Sequence, residues 1–119
     1  MTDVRIMKPY IAFAEVEDDL RQVFESGVFT RGHNVETFAA EVSAYTGAAY
    51  TSLMTSATTA LWTCLKLLEI KAGDEVAVAD FSWPATANVV EDLGAQPIFI
   101  DVNQETFNMC PKDLANKIT

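Results

Sequence analysis

Thr55-Ser56-Ala57-Thr58-Thr59-Ala60-Leu61 puts hydroxyl side chains and small neighbours at a junction, where a run expected as a strand (Ala49 to Met54) meets the helical spacing of Ala57 to Leu68. Such a junction can hold an anion. The first N–H groups of a helix have no partner inside it and lie at the positive end of its dipole, so a phosphate there gains several hydrogen bonds. Small side chains allow close approach, and threonine hydroxyls add donors. The same run also serves as a plain N-cap, because Ser and Thr are preferred there. Trp83 is the second residue of chemical interest, a flat indole just after an expected strand, at the end where α/β folds place ligands. Read alone, it serves equally as a packing residue.

The overall charge restricts what that junction can bind. With 17 acidic against 8 basic residues the formal net charge is −9, which argues against nucleic acid, where lysine and arginine must neutralise backbone phosphates. An anionic ligand must therefore be held locally, as a helix N-terminus does. The acidic residues are scattered and read as solvated helix faces. At 119 residues, 50% apolar and 21% charged, the chain is expected to form one small soluble domain with a core of its own. No apolar run approaches the roughly 20 residues that cross a bilayer, and Met1-Thr2-Asp3-Val4-Arg5 lacks a signal-peptide pattern. A cytoplasmic location is expected. Cys64 and Cys110 lack metal-ligand spacing, and buried free thiols are the expectation for them.

The elements that must position the junction can be read from spacing. After an extended Lys8-Pro9-Tyr10-Ile11, Val16, Leu20, Val23 and Phe24 share one helical face, which Gly27 ends. Val28 to Gly32 reads as a loop. Asn34 is expected to cap a second helix carrying Val35, Phe38, Ala39, Val42 and Tyr45, stopped by Gly47. A strand near Tyr50 to Met54 follows, then a helix through Leu61, Leu65 and Leu68. Gly73-Asp74-Glu75 turns into a strand at Val76 to Ala79. Pro84 opens a helix with Val89, Val90 and Leu93, ended by Gly94, and Pro97 to Val102 is a third strand. This βαβαβ order predicts parallel strands with helices on both faces. Pro111 opens a last short helix through Leu114 and Ile118. Three parallel strands leave unpaired edges, so the chain is expected to end within its fold.

Taken in order, Ser26-Gly27-Val28-Phe29-Thr30-Arg31-Gly32, Phe38 through Tyr45-Thr46-Gly47, Ser56-Ala57-Thr58-Thr59-Ala60-Leu61, Gly73-Asp74-Glu75-Val76, Phe81-Ser82-Trp83-Pro84-Ala85-Thr86-Ala87-Asn88, Gly94-Ala95-Gln96-Pro97 and Phe99-Ile100-Asp101-Val102 resemble the DegT/DnrJ/EryC1/StrS family of sugar aminotransferases, which depend on pyridoxal 5'-phosphate (PLP). The resemblance covers nearly the whole chain. It implies an α/β fold of the fold type I PLP-transferase kind, with residues 1–119 as the N-terminal portion of the large domain. It also implies a homodimer with shared active sites, moving an amino group, commonly from glutamate, to a nucleotide-linked keto sugar.

By that resemblance Ser56, Ala57 and Thr58 bind the PLP phosphate and Trp83 stacks on the pyridine ring. Ala57 stands where the family has glycine, so the assignment requires a negative φ at that residue. Thr30 and Arg31 lie in a loop that comes near the family's active site, and Arg31 could meet a substrate phosphate or carboxylate or remain solvated. Core packing is expected for Trp62, a turn role for Asp101 and an exposed loop position for His33. The family's catalytic lysine and ring-nitrogen aspartate belong to later motifs, and none of Lys8, Lys66, Lys71, Lys112 or Lys117 matches that lysine. No catalytic residue is therefore assigned, and the 119 residues alone are expected to be inactive. Two alternatives stay open: a non-catalytic remnant that binds a partner or a phosphate ligand, and a PLP-dependent sugar dehydratase of the same family, with histidine in place of the lysine.

Overall fold

The computed structural model describes residues 9–118; the N-terminal Met1 to Arg5 reading and Lys8 lie outside the described residues. Contacts divide the chain into a first unit up to Leu53 and a second from Met54.

In the first unit, α1 (Phe13–Ser26) and α2 (His33–Thr46) stand where the apolar spacing predicts helices. Both end on a glycine, Gly27 and Gly47, whose N–H closes the last turn. The start of α2 corrects the expected Asn34 cap. Gly32 is the capping residue, its carbonyl accepting from Val35 and Glu36 N–H at 3.1 Å, which puts His33 and Asn34 inside the first turn. His33 is therefore helical rather than in a loop, though exposed as expected.

The expected strand at Tyr50 to Met54 is also corrected, because among the described residues it has no ladder partner. Its alternation is real: Thr51 and Leu53 are half-buried while Tyr50 and Ser52 are exposed. Alternation reports a two-faced extended backbone, whereas a strand needs a second chain segment to bond. What holds this segment is a side-chain bond, Thr51 Oγ1 to Ser43 Oγ at 2.6 Å.

The second unit contains α3 (Ala57–Leu67), β1 (Glu75–Ala79), α4 (Ala85–Glu91), β2 (Gln96–Ile100) and α5 (Pro111–Lys117). Two strands form its sheet, against three expected, and they pair in parallel from Glu75↔Gln96 to Ala79↔Ile100. Partners across a parallel pair share a face. Val76 and Val78 lie on one face, where Leu65 of α3 and Ala87 and Val90 of α4 join Ile70 and Ala95 to make the core. Ala77, Ile98 and Ile100 line the other face with Leu114 of α5 and Ile118 just after it. α3 and the crossover helix α4 thus pack on one face, and α5 lies on the other.

Two further expectations fail on this packing. Leu65 is the α3 residue that meets the core, while Trp62 is 38% exposed with Lys66 Nζ 5.8 Å from its ring centroid, and Cys64 is exposed. An apolar helix sequence does not say which of its faces is covered. Both cysteines are free, and Cys110 is half-buried. Among the described residues no helix is long and apolar enough to cross a membrane, and no group of His, Cys, Asp and Glu could hold a metal ion.

Candidate functional site

α3 begins abruptly because Ser56 is extended (φ -160, ψ 160) and its hydroxyl accepts the Thr59 N–H at 3.1 Å, while its carbonyl takes Ala60 N–H at 3.1 Å. Thr59 Oγ1 also approaches Ser56 Oγ at 3.0 Å. These bonds satisfy the later amides of the first turn. Ala57 and Thr58 N–H have no acceptor among the described residues, and the Thr58 hydroxyl has no partner there either. Ser56, Ala57 and Thr58 are all exposed. Ala57 is not among the residues with positive φ, so alanine meets the backbone condition that its replacement of glycine imposes. This turn fits a phosphate: two free amides converge at a helix start, and small side chains surround them.

Trp83 stands in the loop between β1 and α4, 75% exposed, its carbonyl accepting Thr86 N–H at 2.9 Å. Because α4 returns the chain from the end of β1 to the start of β2, its N-terminus and Trp83 lie at the carboxyl edge of the strands. α3 feeds the start of β1 through a turn closed by Asp74 N–H to Lys71 O at 3.1 Å, and it packs against α4. Its C-terminus is thus at the amino edge of the strands and its N-terminus is directed away from that edge. Open parallel sheets bind ligands at the carboxyl edge. The rings of Phe81, two residues before Trp83, and Phe107 also meet here.

Thr30 and Arg31 belong to the first unit. Arg31 takes a positive φ of 61 and lines an open cavity of about 320 Å3 with Gln22, Phe29 and His33, whereas Thr30 does not line it. Asp101 has the turn role expected: its Oδ1 accepts Val102 N–H at 2.8 Å and its carbonyl accepts Cys110 N–H at 2.8 Å. Lys66 Nζ lies 5.8 Å from the Trp62 ring centroid without a hydrogen-bond partner among the described residues, and Lys117 Nζ donates to Phe99 O and Asp113. Sequence reasoning missed this Lys117–Asp113 clasp. The i,i+4 spacing within α5 is visible in the sequence, but the reach of Lys117 to β2 depends on packing.

Comparison with known proteins places these features in a family. A model of the DegT/DnrJ/EryC1/StrS aminotransferase family matches residues 12–119. The spore coat polysaccharide biosynthesis protein SpsC of Bacillus subtilis (strain 168) is 33% identical over 111 residues, 93% of this chain and 28% of SpsC. Spr1654 of Streptococcus pneumoniae, described as a sugar aminotransferase and solved in PLP, PMP and apo forms, superposes with a TM-score of 0.88 at 32% identity, over 98% of this chain and 29% of its own. The E. coli GDP-4-keto-6-deoxy-D-mannose-3-dehydratase with bound hydrated PLP gives a TM-score of 0.79 at 25% identity, over 87% of this chain and 28% of its own. The chain thus spans less than a third of the length of these relatives. Its α/β fold is that of the fold type I transferases, and the chain belongs to the DegT/DnrJ/EryC1/StrS aminotransferase family.

Proposed function

We propose that this chain carries the cofactor cradle of a PLP-dependent aminotransferase acting on a nucleotide-linked keto sugar with an amino donor such as glutamate, as part of a homodimer. The observation that carries the reading is the pair of free amides at Ala57 and Thr58, on a turn whose alanine has the required negative φ. Those amides, with the Ser56 and Thr58 hydroxyls, hold the cofactor phosphate, and the Trp83 indole supports its ring. When bound, PLP accepts the electrons released as a C–H bond beside the substrate nitrogen breaks. The chain's own residues anchor and orient; Ser56 keeps one hydroxyl proton to donate while its lone pairs hold the turn. Thr30 and Arg31 are assigned to substrate, Arg31 as a partner for a phosphate or carboxylate.

The test is titration of the 15N-labelled chain with PLP and, separately, with inorganic phosphate. Both should move the Ala57 and Thr58 amides, while PLP alone moves the Trp83 indole N–H. Static amides in both titrations would sink the phosphate site. By the family resemblance none of the described lysines, Lys66, Lys71, Lys112 and Lys117, stands at the position of the catalytic lysine. The 119 residues alone should therefore show no transamination, and clear turnover would overturn the carry-over. The likeness to the E. coli dehydratase favours a second reading, a PLP-dependent sugar dehydratase that uses the same phosphate turn.

A further inference from the structure

Phe107 is the aromatic residue among those with positive φ outside glycine, at φ 57. Its loop imposes that conformation. The Asn103 side-chain oxygen accepts Glu105 and Thr106 N–H at 2.9 and 3.1 Å, Asn103 O accepts Phe107 N–H at 2.8 Å, and Asn103 N–H reaches Asn108 O at 2.9 Å. An antiparallel bridge between Val102 and Met109 closes the base. The result is a tight loop that offers an aromatic side chain where glycine or asparagine would be at ease.

The ring so presented meets Phe81, with centroids 5.3 Å apart and planes tilted by 41°. That separation is within the range of attractive aromatic pairs. Both rings are largely exposed, 67% for Phe81 and 58% for Phe107, so the contact is not a by-product of core packing. Phe81 lies two residues before Trp83. The loop that carries them is otherwise held by Asp80 N–H to Ile100 O at 3.0 Å, by Ser82 Oγ to Thr86 Oγ1 at 2.9 Å and, at the Trp83 backbone, by Thr86 N–H to Trp83 O at 2.9 Å, none of which holds the Phe81 or Trp83 side chain.

We propose that Phe107 is a positioning residue for Trp83: by packing on Phe81 it fixes the Phe81–Trp83 segment, so that the indole is set before a ligand arrives. This rests on the reading of Trp83 as the ring support. A residue held at an unfavourable φ persists only where its surroundings over-determine it, and a loop ordered in advance loses less freedom when it binds.

A Trp62→Phe background leaves Trp83 as the only tryptophan, so its fluorescence reports this loop. Phe107→Gly keeps the backbone conformation and removes the ring. It should lower the Trp83 anisotropy and weaken PLP quenching of Trp83 several-fold, Phe81→Leu should do the same, and the double variant should be no worse than either single. Phe107→Tyr should restore both signals. Unchanged anisotropy in Phe107→Gly overturns the proposal, whatever PLP does. If anisotropy falls as expected but PLP quenches Trp83 in no variant, the coupling stands and the ring-support reading of Trp83 fails.

Discussion

Val78, Val89, Val90, Ala95 and Ile100 are buried in the second unit, whereas neither α1 nor α2 of the first unit buries a residue, although α1 carries Phe13, Leu20 and Phe24 on one stripe. The two units are therefore shaped by different forces. Capping residues at Gly27, Gly32 and Gly47 define the helices of the first. In the second, burial of aliphatic side chains, each contributing about 1.5–3 kcal/mol, fixes the elements against one another. The residues proposed to hold phosphate and ring sit on that second unit, on α3 and beside α4, whose Leu65, Ala87 and Val90 share one core. The turn proposed for phosphate opens a packed helix and Trp83 lies in the loop before another, while the exposed Arg31 loop joins two helices that bury no residue.

The largest expected effect tests that contrast directly. Ile100 is 0% exposed, so Ile100→Ala should lower unfolding free energy by about 2–5 kcal/mol. Leu20→Ala, on the α1 stripe and 42% exposed, should cost less than about 1 kcal/mol, since little is removed from a packed site. Urea unfolding followed by circular dichroism gives both values. Equal losses would break the comparison, because they would mean that the α1 stripe is covered in solution.

The same contrast explains what the sequence could disclose. Helix spacing and glycine stops placed α1, α2, α3 and α4 closely, since these signals act within a few residues. Pro111 marked the start of α5 for the same local reason. The turn proposed to hold phosphate was legible as a helix start, because Ser56 ends the extended segment and caps the helix. What failed depended on partners far along the chain. Tyr50 to Met54 alternates as a strand does yet finds no ladder, and Trp62 and Cys64 sit on faces of α3 that its apolar sequence could not tell from the face of Leu65. Phe107 gave no signal, because its φ is set by Asn103 and its ring partner lies before α4.

A smaller effect separates the two units at their glycines. Gly27 (φ +67) has nothing within 4 Å of an added Cβ, whereas at Gly94 (φ +74) that atom would stand 3.3 Å from Ala72 Cβ. Gly27→Ala should therefore cost only the left-handed backbone term, about 1–2 kcal/mol. Gly94→Ala should cost more, by whatever the turn before β1 must yield. Thermal unfolding of the two variants ranks them. The reverse order would show that the connection between α3 and β1 adapts freely and does not help to fix the core.

The smallest effect concerns two ion pairs of the same spacing. Arg21 and Glu17 on α1 meet at 2.9 Å and tie that helix only to itself, a kind of pair worth about 0.3–0.5 kcal/mol. On α5, Lys117 Nζ reaches Asp113 Oδ2 at 2.8 Å and also donates to Phe99 O at 2.8 Å, while the same Asp113 oxygen accepts Asp101 N–H at 2.8 Å. That clasp joins the helix to the end of β2. The hydrogen bond from Lys117, followed by the one from the Asp101 amide, holds the Asp113 carboxyl below its ordinary value of 3.8, against a weaker opposing effect of desolvation. A depressed value means that the folded chain takes up this proton less readily than the unfolded chain. The clasp's contribution is fully present above the ordinary value and is lost as pH falls through the depressed one. Carboxyl 13C titration should show the Asp113 midpoint below 3.8, rising toward it in Lys117→Met, with the α5 amides shifting at the same midpoint. Arg21→Met should leave the second unit's amides unmoved. If the Asp113 midpoint does not change when Lys117 is replaced, the pair on α5 is no more than the surface pair on α1, and α5 is held to the sheet by Leu114 and Ile118 alone.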